Sequence, residues 1–131
     1  MQVRDAMTRA VLTVSPDHTV AEAAQLMVRR HVGAAVVVDE AAPGFGIITE
    51  RDVLRLIAEG GDPQVATVRQ AMTYEARSAS DGWGLDRAAE EMLKNGFRHL
   101  LVLDTAGALV GVMSMRDVVR ARLSAENAAT G

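Results

Sequence analysis

Two short stretches set a hydroxyl side chain and an acid at the same spacing. In "GIITERD", residues 46 to 52, Thr49 precedes Asp52 by three; in "GVMSMRD", residues 111 to 117, Ser114 precedes Asp117 by three. A hydroxyl at a helix start accepts from a backbone N–H of the first turn, and an acid three residues on favours the positive end of the helix dipole, so the spacing is that of a capping box. The same carboxylate has a second use. It would repel a bare phosphate, yet it can accept hydrogen bonds from the vicinal hydroxyls of a ribose, while helix-end amides and a basic residue take the phosphate. That division suits a nucleotide, and both uses stay open for these residues.

Other chemistry finds little support. No Ser sits in a nucleophile elbow, no Gly-rich phosphate loop carries a Lys, and Lys94 is the one lysine of the chain, so no catalytic residue is assigned and an enzyme is not expected. There is no Cys, which removes thiol nucleophiles and Cys-ligated metals, and His18 and His31 lack partners at metal spacing, so no metal is assigned. Fourteen Lys and Arg against 17 Asp and Glu give a net charge of −3, without a general drive toward nucleic acid or an anionic membrane. The N-terminus carries Arg4 and Asp5 where a signal peptide needs an apolar run, and no apolar stretch approaches membrane-spanning length, so a cytoplasmic protein is expected.

The elements that must position the two motifs come twice. Sliding the chain on itself by 65 residues sets Asp52 against Asp117, "VRDAMT" against "VRQAMT" and "RDVLR" against "RDVVR"; residues 3 to 55 and 68 to 120 share 17 identities in 53 positions without a gap. Gly60, Gly61 and Pro63 mark a break between the copies. The expected division is a first repeat over residues 1–60, a linker over 61–67, a second repeat over 68–123 and a weakly structured tail over 124–131. A unit of about 60 residues buries its apolar face poorly alone, so two copies packed about a pseudo-two-fold axis are the expected folding unit.

Within each copy the apolar period changes in order. Val20, Ala23, Ala24, Met27 and Val28, echoed by Leu85, Ala88, Ala89, Met92 and Leu93, form an amphipathic helical stripe. Thr19 with Glu22 predicts a capping box for the first of these helices; Gly84 stands at the matching place and offers no side-chain cap. "AAVVVD" and "HLLVLD" read as strands buried on both faces, "FGIIT" and "LVGVMS" as the strands that follow, and the motif acids open the final helices. With a short strand near "VLTV" and another around residues 77 to 80, the fold class is α/β, two β-α-β-β-α units. The Met residues at 7, 27, 72, 92, 113 and 115 mostly sit on apolar stripes, for core or dimer packing, and Trp83, in a Gly-flanked turn, is expected to staple the helix after it.

The order "VRDAMT", helical stripe, "VVVD", "GIITERD", all repeated, resembles a tandem pair of CBS domains, often called a Bateman module, over roughly residues 1 to 123. The resemblance implies a stand-alone regulatory module that binds AMP, ADP, ATP or S-adenosylmethionine in clefts between the repeats, forms a homodimer of pairs and signals to a regulated protein partner. It assigns ribose to Asp52 and Asp117 and sugar or phosphate contact to Thr49 and Ser114. Backbone and small side chains at the start of the middle strand would flank adenine, from Val32 through Ala34 to Ala35 in copy one and over residues 97 to 100 in copy two, with another wall from the short first strand near Thr13, Val14 and Ser78. Arg98 and His99 match a phosphate-reaching basic pair, whereas copy one has Gly33 and Ala34 there, so unequal sites are expected. Arg51 and Arg116 are candidates to neutralise phosphate. Val36 and Leu101 replace a Pro common in the family's middle strand. The alternative is a CBS protein that keeps the fold and dimerises without binding ligand.

Overall fold

The computed structural model describes residues 1–74 and 76–130. In chain order its elements are α1 (Val3–Ala6), β1 (Thr13–Val14), α2 (Val20–Arg30), β2 (Ala34–Val37), β3 (Gly46–Thr49), α3 (Glu50–Ala58), α4 (Val68–Ala71), β4 (Ser78–Ser80), α5 (Leu85–Asn95), β5 (His99–Leu103), β6 (Leu109–Ser114) and α6 (Met115–Thr130). The β-α-β-β-α order is present in both copies. Each builds a three-stranded sheet, β1-β2-β3 and β4-β5-β6, whose first pair is parallel and second antiparallel. Two one-turn helices, α1 and α4, precede the copies. Four residues are too few to show a helical period, but a side chain at the third helical position closes each turn: Gln2 N donates to Asp5 Oδ2 at 2.8 Å and Thr67 N to Gln70 Oε1 at 3.0 Å.

These two turns change where the compact units begin and end. One unit is Val11–Ala76; the other is Met1–Ala10 together with Arg77–Gly131. Each "VRxAMT" segment therefore packs on the helices of the other sequence copy: α4 lies on α2 and α3, and α1 on α5 and α6. The stretch expected as a linker is part of the first unit. Val20 N donates to Ala66 O and Ala21 N to Pro63 O, both at 2.9 Å, while Val68 N donates to His18 O at 2.8 Å. Apolar burial drives the exchange, since Val3 and Val68 are each 0% exposed, and fully burying such a side chain is worth about 1.5–3 kcal/mol.

The helical stripes fill the two cores except at their last positions, Val28 and Leu93, which are exposed. Val20, Ala23 and Met27 meet Val14, Ala35 and Ile48 in one unit, and Leu85, Ala88 and Met92 meet Ala79, Leu100 and Met113 in the other. Met7, Met72 and Met115 pack at the core edges. Thr19 Oγ1 caps α2 by accepting from Glu22 N at 3.1 Å, and Gly84 leaves α5 without a side-chain cap. Trp83 packs on the second core with the Arg87 guanidinium 3.7 Å above its ring. Residues expected as a loose tail continue α6 as far as Thr130, because "SAENAAT" is rich in helix-forming Ala and Glu and holds no breaker; Gly131 lies outside the described residues. No helix among the described residues is long and apolar enough to cross a membrane.

Candidate functional site

Asp52 and Asp117 are the buried charged residues of the described structure, 5% and 4% exposed. Both sit in the first turn of a helix that leaves its strand without an intervening loop, α3 after β3 and α6 after β6. The local reason is the capping box. Asp52 Oδ2 accepts from Thr49 N at 2.9 Å and from Thr49 Oγ1 at 3.1 Å, while Asp52 N donates back to Thr49 Oγ1 at 3.3 Å. In the second unit Asp117 Oδ2 accepts from Ser114 N at 2.9 Å and Asp117 N donates to Ser114 Oγ at 3.1 Å. The cap expected at the motif is thus built in both copies, and it satisfies backbone donors that would otherwise be orphaned at a buried helix start.

Sheet register brings further predicted residues to the same place. Ala34 pairs with Thr49 across β2 and β3, and His99 with Ser114 across β5 and β6. Glu50 N donates to Gly33 O at 3.0 Å, and Met115 N to Arg98 O at 2.9 Å. Arg98 and His99 therefore stand beside the Asp117 cap in their own unit, Arg98 exposed and His99 half-buried, where the other unit has Gly33 and Ala34. Val32 and Phe97 are half-buried just before these strands, and the Arg77 guanidinium lies 6.0 Å over the Phe97 ring. Arg51 and Arg116 are exposed on the first helical turns.

Four residues named for the adenine wall lie on the first and middle strands. Val14 and Ala35 are 3% and 1% exposed and belong to the core under α2, because alternation along the strand turns their side chains inward. Their side chains are not available to a ligand. Thr13 and Ser78 are exposed, but β1 and β4 pair with the middle strands on the side away from β3 and β6. Val36 and Leu101 are each 1% exposed.

Three residues at the site escaped notice as candidates. Arg55 Nη1 stands 3.3 Å from Asp52 Oδ1, and Arg120 Nη1 stands 3.3 Å from Asp117 Oδ1. Their signal was present, since an acid and a base three apart on a helix face each other, and both "RDVxR" stretches repeat it. Thr8, from the segment carrying α1, places its hydroxyl 3.1 Å and 3.3 Å from the two oxygens of Asp117. Nothing in local spacing foretells a contact between residues 109 apart.

A carboxylate offers about four acceptor positions. Asp52 uses three, for Thr49 N, Thr49 Oγ1 and Arg55; Asp117 serves Ser114 N, the Thr8 hydroxyl and Arg120. The arginine contacts are longer than the roughly 2.7–2.9 Å of a strong charge-assisted bond, and each rests on a single nitrogen. Each acid is thus held by its cap through a 2.9 Å bond from the backbone, and the arginine contact is a long one from the solvent side. Among the described residues no group of three or more His, Asp and Glu converges as a metal site.

Comparison with known proteins identifies the family of the fold. YhcV of Bacillus subtilis, a CBS domain-containing protein, is 37% identical over 127 residues, 96% of this chain and 89% of its own length. Two other curated relatives are longer, the chain spanning 73% and 62% of them. The solved structure of CBSX2 in complex with AMP superposes with a TM-score of 0.78 at 29% identity, covering 95% of this chain and 98% of that one. PAE2072 of Pyrobaculum aerophilum, also complexed with AMP, gives 0.80 at 27% identity over 89% of each chain. CBS-domain matches cover residues 3–59 and 68–124, the two copies that carry the capped aspartates, and the chain belongs to the CBS-domain family.

Proposed function

We propose that this chain is a ligand-sensing regulatory module that binds an adenine nucleotide at Asp52 and Asp117. The observation that carries the reading is the repeated placement of a buried carboxylate at a strand-to-helix junction in a family whose members CBSX2 and PAE2072 were solved with AMP. The acid would accept from ribose hydroxyls, with Thr49 or Ser114 beside it, and the helix-end amides and nearby cations would receive phosphate. Arg98 and His99 make the Asp117 site the more basic of the two, so AMP, ADP, ATP and S-adenosylmethionine are expected to fill the two sites unequally. Occupancy shifts an output only through differential affinity for two states, on the order of 1–3 kcal/mol of coupling, read by a partner protein or by a second copy. Exposed apolar residues at repeat-equivalent places, Val28 and Leu93 on α2 and α5 and Leu54 and Val119 on α3 and α6, support a homodimer.

A competing reading has its own observation. The caps already engage both carboxylates, so a CBS protein that dimerises without ligand needs the same aspartates. Calorimetric titration with AMP, ATP and S-adenosylmethionine separates the two. Saturable binding that falls from two sites to one in Asp52→Ala or Asp117→Ala, each still folded by circular dichroism, supports the sensor. No saturable binding in the unaltered chain, or unchanged binding in the double variant, overturns it.

A further inference from the structure

Arg55 and Arg120 are equivalent in the repeat, and each makes the same contact, one guanidinium nitrogen 3.3 Å from Oδ1 of the buried acid three residues before it. The pairing is lopsided. The carboxylates are 4% exposed and the arginines 55% and 64% exposed, so the acid is fixed by its cap while the cation reaches it from solvent. A guanidinium has five donors and cannot lose its charge, and one long contact leaves most of those donors available. Such a half-exposed pair is weakly held and is exchanged readily for a better partner.

We infer that Arg55 and Arg120 are the residues that make these sites select charged nucleotides over neutral nucleosides. The inference rests on the nucleotide reading above and assigns the anion-binding role within it. A ribose hydroxyl donating to Oδ1 takes the acceptor that the arginine uses. The displaced guanidinium stays within a side chain's reach of the ligand and turns onto its phosphate, where two parallel N–H···O bonds replace one long contact. A neutral nucleoside displaces the arginine in the same way and offers it nothing in return. Unlike the Arg98 and His99 pair, this device is present in both units, so it sets a charge requirement common to both sites while the basic pair sets their difference.

Calorimetry on the full chain with AMP and with adenosine tests the assignment. The unaltered chain should bind AMP at least about tenfold more tightly than adenosine. In the Arg55→Gln/Arg120→Gln double variant AMP should weaken about tenfold, with adenosine unchanged or tighter, so that the preference shrinks to about twofold. A folded double variant that keeps the original ratio overturns the inference and leaves the nucleotide reading standing. If the unaltered chain binds neither compound, the nucleotide reading fails and takes the inference with it. Should the Gln protein not fold, Arg55→Lys/Arg120→Lys retains the charge without the planar fork; AMP should weaken severalfold there with adenosine unchanged, and unchanged AMP affinity overturns the assignment.

Discussion

The two compact units hold the same aspartate in the same helix cap, yet they protect it differently. Around Asp52 the hydroxyl comes from the local motif, Thr49 Oγ1 lying 3.1 Å from Oδ2. Around Asp117 it comes from far away, because Thr8 supplies it while Ser114 Oγ accepts from the helix amide. The repeat equivalent of Thr8 is Thr73, and its backbone behaves identically: Thr8 and Val112 exchange two hydrogen bonds at 2.9 Å, and Thr73 and Ile47 exchange two at 2.8 and 3.0 Å. Among the described residues, however, the Thr73 hydroxyl makes no hydrogen bond to Asp52. One backbone bridge is thus common to both units, and a side-chain contact to the buried acid is added in one. Displacing a segment that only docks leaves the Asp52 cap intact, whereas displacing the segment with Thr8 removes a donor from Asp117.

Glycine makes the common bridge possible, and the most severe test acts there. A Cβ at Gly111 would stand 2.9 Å from the Thr8 carbonyl oxygen and 2.7 Å from Met7 Sδ; at Gly46 it would stand 3.1 Å from the Thr73 carbonyl oxygen and 3.0 Å from Met72 Cε. The first residue of each "Gxx[ST]xxD" motif is therefore the landing place of an exchanged segment. The sulfur and methyl ends of Met7 and Met72 can swing aside, but a carbonyl in a two-bond bridge cannot. Gly111→Ala is expected to cost about 2–3 kcal/mol and Gly46→Ala about 1 kcal/mol, read from urea unfolding midpoints. Equal costs would mean that the two segments are seated alike and would remove the structural half of the comparison.

Much of this frame was legible beforehand, and its gaps have physical causes. The long helices and buried strands announce themselves because periods of 3.6 residues and continuous apolar runs accumulate over many positions. The capped acids are legible because a capping box is contained in four residues. A one-turn helix accumulates no period, so α1 and α4 were invisible. The exchange of segments was equally hidden, because "VRDAMT" and "VRQAMT" look like the start of the copy that follows them and say nothing of which core Val3 and Val68 enter. The burial of the Val14 and Ala35 side chains follows from strand alternation, which a wall assigned to a whole stretch does not resolve residue by residue. Arg55 and Arg120 are readable from helical spacing, three residues beyond each acid on the same face, whereas Arg51 and Arg116 adjoin the acids in sequence and point elsewhere on the turn.

The hydroxyl contact itself is the next test in size. Thr8→Val keeps the shape of the side chain and removes one donor to a buried carboxylate, for an expected loss of about 1–1.5 kcal/mol. Thr73→Val removes a hydroxyl from an exposed position and should change stability by no more than about 0.5 kcal/mol. The same denaturation experiment checks both. If Thr73→Val proves the costlier, Asp117 is not the better protected acid and the distinction drawn from the hydroxyls is lost.

The smallest expected effect concerns how each exchanged segment is tethered by charge. Arg69, within α4, donates to Asp39 Oδ2 at 2.9 Å and lies 3.5 Å from Asp17; its repeat equivalent Arg4 pairs instead with Asp81 at 3.6 Å, while Asp104, the equivalent of Asp39, accepts from the amides of Ala106 and Ala108 in its own turn. The hydrogen bond from Arg69 holds the Asp39 carboxyl below the ordinary carboxylate range, aided by the Ala41 amide and opposed by slight desolvation. A carboxyl depressed in the folded state is protonated more readily when unfolded. Its contribution is therefore whole above the unfolded value of about 3.9 and disappears as pH falls through the folded value. Arg69 and the chain around it are open to solvent, so the effect is modest and fades with added salt. Asp39→Asn should lower the neutral plateau of a plot of unfolding midpoint against pH by a modest amount and flatten the fall below about pH 4, so that the two curves converge in acid. Among the described residues no cation pairs with Asp104, so Asp104→Asn should change the shape of that curve less than Asp39→Asn does. An acid limb that keeps its slope in Asp39→Asn would show that the Arg69 contact does not set it.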